Sequence, residues 1–288
     1  MALPTFIIIG AAKAGTTSLH YYLDLHPEIQ MSAVKETNFF AGPPNGRDYE
    51  LGQVESLEAY EELFDPAVPV RGEASPNYAN DPIRAGAAER IKGLIPEAKI
   101  IYLVRDPVAR TVSHYRHRVS VSGERRSLRE VLDDYREPSE LGDTCMSLYA
   151  TQLEGYLHCF PEERILVLDQ AELLANRDAV LRSVFAFLAV DESFTSRHFS
   201  TEKLKSSERR TYPSGYNRFM RRAVAPAGRW IPPHIRHGLR RNAEKYLFPP
   251  LPEQTLESDL RDRLEQLYGG EVERLRALTG QEFATWSI

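Results

Sequence analysis

The stretch Phe6-Ile-Ile-Ile-Gly-Ala-Ala-Lys-Ala-Gly-Thr-Thr-Ser-Leu19 constrains this chain more than any other, because it leads a buried strand through a glycine turn into a hydroxyl-rich helix. The short apolar run Phe6 to Ile9 is the type that fills a parallel strand. Gly10 and Gly15 let the backbone turn tightly and approach a ligand closely. Thr16, Thr17 and Ser18 then open a helix whose first N–H groups and positive dipole end suit a phosphate. The spacing differs from the Gly-x-x-x-x-Gly-Lys-[Ser/Thr] phosphate loop: the lysine is Lys13, inside the turn, and Gly15 is followed by Thr16. A lysine placed there lies over the bridging oxygen of a shorter ligand instead of reaching β- and γ-phosphates beside Mg²⁺.

About ninety residues on, Lys99-Ile-Ile-Tyr-Leu-Val-Arg-Asp-Pro-Val-Ala-Arg-Thr-Val-Ser-His-Tyr115 repeats the strand-to-helix grammar. Lys99 to Val104 is predicted as a strand, Asp106 as an N-cap and Pro107 as the first helical residue. The remaining pattern predicts strands at 6–9, near 70–73 and at 164–168, and helices at 15–25, 56–64, 82–94, 107–121, 127–136, 143–159, 171–174, 177–189 and about 257–278. Gly42 to Gly46, Gly123 to Arg126 and Pro226 to Pro233 are expected as turns and loops. Strands separated by helices imply an α/β fold: a single domain with a parallel sheet flanked by helices on both faces. With 42% hydrophobic residues the chain can bury such a core.

Together the two segments resemble the 5′-phosphosulfate loop and the 3′-phosphate site of sulfotransferases that use 3′-phosphoadenosine 5′-phosphosulfate (PAPS). The second signature of that family, Arg-Asp-Pro-x-x-Arg-x-x-Ser-x-Tyr, is matched by Arg105, Asp106, Pro107, Arg110, Ser113 and Tyr115. The resemblance extends to the branch containing the heparan sulfate sulfotransferase domains and their bacterial relatives. Leu25-His26-Pro27 follows the first helix as in that branch, Lys35-Glu36-Thr-Asn-Phe-Phe40 matches its Glu-x-x-Phe-Phe element, and Glu73-Ala-Ser-Pro-Asn-Tyr78 resembles Glu-Lys-[Ser/Thr]-Pro-x-Tyr. The chain departs from the family at Ala74, where the family has a lysine near the transferred group or the acceptor.

The resemblance implies a P-loop-like sulfotransferase fold, PAPS as donor, the bisphosphate PAP as product and no metal requirement. It assigns Lys13 to the leaving phosphate, and Ala14, Gly15, Thr16, Thr17 and Ser18 to the 5′-phosphate. Arg105 and Ser113 take the 3′-phosphate, and Arg209 and Arg210 fall in a loop that closes over the adenosine. Glu36 is the base, in place of the histidine of cytosolic phenol and steroid sulfotransferases, and only His114 and His117 stand near a signature. Glu73 either orients the acceptor or Lys13 or forms a strand-end ion pair. Tyr78 either lines the acceptor cleft or is a buried aromatic.

The net charge of −5 conceals a basic segment, 203–245, with about a dozen Lys and Arg. The segment reads as a solvated surface face, as part of the cofactor-covering loop, or as a surface for an anionic small-molecule or carbohydrate acceptor; no nucleic-acid recognition module accompanies it, so nucleic acid is not expected. Two cysteines give neither a disulfide framework nor metal-ligand spacing. No apolar run approaches a membrane span and no leader pattern opens the chain, so the expected location is cytoplasmic. Two other classes share parts of the pattern. A P-loop kinase would need Lys after Gly15 and an acidic Mg²⁺ ligand at a strand end, and a non-catalytic nucleotide-binding protein would bind the bisphosphate without turnover.

Overall fold

Five parallel strands form the sheet of a computed structural model that describes residues 2–42, 54–134, 142–200 and 256–288. They are β1 (Phe6–Gly10), β2 (Ile29–Met31), β3 (Val70–Ala74), β4 (Lys99–Val104) and β5 (Ile165–Asp169), in the spatial order β2-β3-β1-β4-β5. All neighbours run parallel, with Phe6 opposite both Gly72 and Lys99, and Ile100 opposite Ile165. β1 is buried at every position and β4 from Ile100 onward, as expected for strands covered on both faces. Gly72 is required by packing: a Cβ there would lie 2.1 Å from the Phe6 ring.

The helices are α1 (Thr16–Leu23), α2 (Leu57–Glu61), α3 (Ala87–Leu94), α4 (Pro107–Ser122), α5 (Leu128–Asp133), α6 (Gly142–Cys145), α7 (Tyr149–Cys159), α8 (Gln170–Ala175), α9 (Arg177–Leu188) and α10 (Ser258–Thr279). A main core surrounds the sheet, and a second cluster joins α4, α5 and α10 through Val108, Tyr115, Leu128, Val131, Leu132, Leu260, Leu264 and Tyr268. No helix among the described residues is long and apolar enough to cross a membrane.

The strand order positions the site. From β1 the chain passes to β2 at one edge and returns to β3; from β3 it crosses to β4 on the other side of β1 and continues to β5. The connections after β1 and β4 therefore diverge, leaving a crevice at their carboxyl ends, the usual ligand position in open α/β sheets. The Ala11 N–H donates to the Leu103 carbonyl at 2.7 Å and anchors one lip of that crevice to the other.

Residues 281–288 cover the β5 edge of the sheet at the carboxyl ends of β4 and β5. The Trp286 indole donates to Asp169 Oδ1 at 3.2 Å, the Ser287 N–H donates to Asp106 Oδ2 at 2.6 Å, and Gln281 Nε2 donates to the Val167 carbonyl at 3.0 Å. The Trp286 ring packs on Phe283 and Tyr149.

Three details differ from the sequence expectations. The three-residue strand β2 was not anticipated. The helix expected at 143–159 is two helices broken at Met146 to Leu148, where Ser147 turns inward to meet Arg110 and the Pro107 carbonyl. The helix expected from 82 starts at Ala87, because Gly86 takes a left-handed conformation (φ 79°) immediately before it. The expected turns at 43–46 and 226–233 lie outside the described residues.

Candidate active site

The loop after β1 carries the first half of the site. Lys13 has a left-handed backbone (φ 73°), uncommon for a residue with a side chain, and Gly15 follows at φ 103°. The Gly15 carbonyl accepts from the Ser18 and Leu19 N–H groups at 2.9 and 3.1 Å, so α1 begins directly from the turn. Its N-terminus has no side-chain cap. The leading N–H groups of a helix have no intrahelical acceptor, and an anion is their natural partner.

β4 delivers the second half. Asp106 caps α4 by accepting from the Ala109 N–H at 2.7 Å, with Pro107 as the first helical residue. Arg105 Nη1 donates to the Lys13 carbonyl at 3.2 Å, which brings the two sequence signatures into contact. Burial lowers the Arg105 pKa, because a desolvated cation lacks the water that stabilises its charge, and a bound anion replaces that loss. Ser113, two turns along α4, is buried.

His114 shows the sign of the local field. Its pKa is held well below the ordinary value, first by burial and then by Arg110, His117, Lys13 and Arg118. The imidazole is therefore neutral at physiological pH, and its Nδ1 accepts from Arg110 Nη1 at 3.2 Å. Arg110, the second arginine of the signature, is fully buried and also donates to Ser147 Oγ and to Thr111 Oγ1. It ties α4 to the break between α6 and α7, a packing role the sequence pattern does not distinguish from ligand binding.

The other wall of the crevice is built around β3. The Glu36 N–H donates to the Ala74 carbonyl at 3.1 Å, placing the Glu36 loop at the carboxyl end of β3, beside β1. Glu36 (φ 63°) and Asn38 (φ 53°) are both left-handed. The Glu36 side chain is 47% exposed, with Lys35 Nζ 2.5 Å from Oε1. Ala74, at the position of the family lysine, is fully buried.

Glu73 is fully buried, and its carboxylate gathers four hydroxyls. Oε1 accepts from Thr37 at 2.6 Å, Tyr78 at 2.6 Å and Ser75 at 2.7 Å, while Oε2 accepts from Tyr60. Burial, and then the Glu73 charge, raise the pKa of both tyrosines, so both remain donors. Tyr78 is a buried aromatic here. Neither Glu73 nor Tyr78 reaches the surface, so contact with an acceptor would require this network to open.

Tyr60 carried no sequence signal, since it belongs to no motif and meets Glu73 only through the fold. His20 was overlooked although it lies on α1 two residues beyond Ser18: its Nε2 is buried without a hydrogen-bond partner. Its pKa is lowered by burial and then by Lys35, with opposing influences that include Glu36. Arg209 and Arg210 lie outside the described residues. Among the described residues no group of three or more His, Cys, Asp or Glu is placed to hold a metal ion.

The sequence and the fold have relatives among known proteins. The model of the sulfotransferase domain family matches residues 3–247. Mouse heparan sulfate glucosamine 3-O-sulfotransferase 3B1 is 31% identical over 210 residues, covering 70% of this chain and 50% of that protein. Human bifunctional heparan sulfate N-deacetylase/N-sulfotransferase 3 is 32% identical over 206 residues, covering 65% of this chain and 22% of that protein. The chain thus spans half or less of the length of these two relatives. A solved sulfotransferase from Alicyclobacillus acidocaldarius superposes with a TM-score of 0.70 at 27% identity, covering 100% of both chains.

Proposed function

Because the chain belongs to the sulfotransferase domain family, we propose that it moves a sulfuryl group from PAPS to a hydroxyl or amine of a carbohydrate, glycolipid or small metabolite. The observation that carries this reading is the hydrogen bond from Arg105 to the Lys13 carbonyl. It joins an uncapped helix end to a desolvated cation, a pairing suited to a ligand with two separated anionic groups. Backbone N–H groups and hydroxyls of Ala14, Gly15, Thr16, Thr17 and Ser18 hold the 5′-phosphate. Arg105 and Ser113 hold the 3′-phosphate, and Arg209 and Arg210 close over the adenosine.

The donor supplies an activated sulfuryl group on a good leaving phosphate. Lys13 stabilises the negative charge that builds on the bridging oxygen as its bond to sulfur breaks. Glu36 accepts the acceptor's proton as the new bond to sulfur forms; its carboxylate is half exposed and paired with Lys35, which an acceptor would have to displace. Positioning plus preorganised positive charge provides the catalysis, and Lys13 supplies the charge that Mg²⁺ brings to phosphoryl transfer. The match to residues 3–247 and the packing of α10 on α4 and α7 support a single sulfotransferase domain over residues 1–288.

The test is incubation of the protein with isotopically labelled PAPS and fractions of cell extract, in EDTA, with products identified by mass. A sulfated product supports the reading. Binding of adenosine 3′,5′-bisphosphate with no product from any fraction would assign a non-catalytic nucleotide-binding role. Transfer that requires ATP and stops in EDTA would assign a kinase.

A further inference from the structure

Glu73 poses a question that donor binding does not answer. A buried carboxylate is costly unless its lone pairs are filled, and here four hydroxyls fill them with no ion pair to Glu73 among the described residues. The arrangement of three of those hydroxyls is informative. Ser75 Oγ, which donates to Glu73 at 2.7 Å, accepts from the Asn38 N–H at 3.1 Å. Thr37 Oγ1, which donates to Glu73 at 2.6 Å, accepts from the Phe39 N–H at 3.3 Å. Tyr78 Oη, which donates to Glu73 at 2.6 Å, accepts from the Phe40 N–H at 3.2 Å.

Three consecutive backbone N–H groups are thus each held by a hydroxyl whose single proton is committed to Glu73. A hydroxyl has one proton and two lone pairs. An ionised carboxylate, which only accepts, takes that proton and turns a lone pair towards the loop. The Tyr60 ring, held through Oε2, stacks on Phe39 with ring centres 4.3 Å apart and meets Phe40 edge-on. We propose that Glu73 is the positioning residue of the acceptor side: its buried carboxylate orients the hydroxyls of Thr37, Ser75 and Tyr78 so that they hold the amides of residues 38–40. It thereby fixes the left-handed turn that presents Glu36. This role rests on the reading of Glu36 as base. It assigns Glu73 to act through the loop, without contact with acceptor or donor.

The substitution Glu73→Gln tests the polarity directly, because an amide donates where the carboxylate accepted and competes with the hydroxyl protons. Hydrogen exchange is read at the amides of Asn38, Phe39 and Phe40, with PAP affinity measured by calorimetry and turnover measured on the acceptor fraction from the labelling screen. Exchange at 38–40 is expected to rise about tenfold or more, while the PAP dissociation constant stays within about twofold and turnover falls about tenfold or more. The double variant Glu36→Gln/Glu73→Gln is expected to be no slower than Glu36→Gln alone, as for residues acting through one group. Thr37→Val and Thr37→Ser decide the matter if Glu73→Gln does not fold: Val should deprotect Phe39 and Ser should restore protection.

Unchanged protection in folded Glu73→Gln or in Thr37→Val overturns the proposal, as do additive losses in the double variant. Wild-type turnover in Glu36→Gln alone would instead remove Glu36 as base, leaving the exchange data to judge the Glu73 network separately.

Discussion

The two sides of the crevice, the proposed donor side at β1 and β4 and the proposed acceptor side at β3, are built from opposite materials. The donor side consists of strand ends, helix N-termini and cations: the uncapped α1, Lys13 and Arg105, with His114 held neutral first by burial and then by the cations around it. The acceptor side turns on a buried carboxylate, Glu73, and on hydroxyls around it, with an exposed carboxylate, Glu36, at its edge. Backbone groups at strand ends can serve any phosphate in the same way. A side-chain network can be retuned by single substitutions, as Ala74 at the end of β3 in place of a lysine illustrates. On the proposed reading, the contrast puts donor recognition in the topology and acceptor recognition in side chains.

The largest expected effect falls on the acceptor side. Glu36→Gln keeps shape but cannot accept a proton, so turnover should drop about 10² to 10⁴-fold while PAP affinity, measured by calorimetry, stays unchanged. A parallel loss of PAP affinity would erase the division between the two sides. Lys13→Ala should lower turnover about 10² to 10³-fold and also weaken PAPS binding, because the same ammonium meets the donor before and during transfer. Arg105→Ala should cost about 1.5 to 3 kcal/mol of PAP affinity, the value of a hydrogen bond to a charged group, and leave 5′-AMP binding nearly as it was. Equal losses for both nucleotides would move the 3′-phosphate away from Arg105.

The smallest effect lies just beyond the donor helix, at Glu124, and serves as a control belonging to neither side. Hydrogen bonds from Arg126 come first, helped by the Arg118 charge, and depress its carboxyl pKa from 4.5 to about 2. A folded pKa below the unfolded one stabilises the protein above pH 4.5, and this contribution fades as pH falls from there towards 2. Glu124→Gln should therefore cost about 1 kcal/mol near neutrality, the scale of a surface ion-pair cluster. Its melting curve should merge with the wild type as pH drops through that window. A gap that persists at pH 2 would assign the loss to packing.

The donor side was legible in the sequence because its parts are local. Lys99 to Val104 came out as a strand with the observed bounds, since a two-sided buried strand is a continuous apolar run closed by Arg105, Asp106 and Pro107. The turn at Lys13 and Gly15 announced itself through glycine spacing. What stayed hidden depends on distant partners. Ser147 breaks a helix because a buried Arg110, 37 positions earlier in sequence, needs its hydroxyl. β2 is only three residues long, too short for a period to register. The Glu73 network draws on residues 37, 60, 75 and 78, of which only the last two share its motif, so Glu73 and Tyr78 were legible as important but not as mutually enclosed.

The tail that reaches from Gln281 to Ser287 gives the donor site an unusual history. Asp106 offers one carboxylate oxygen to the start of α4 and the other to Ser287, a contact spanning 181 positions of sequence. Closing so long a loop is entropically expensive and kinetically slow, and it comes after contacts of short range have formed. The strand-turn-helix units of β1 and β4 fold from neighbouring residues, yet the N-terminus of α4 acquires its last partner only when Trp286 settles between Asp169, Phe283 and Tyr149. The proposed phosphate-binding end of the molecule thus joins contacts of the shortest sequence range to one of the longest, through the single carboxylate of Asp106.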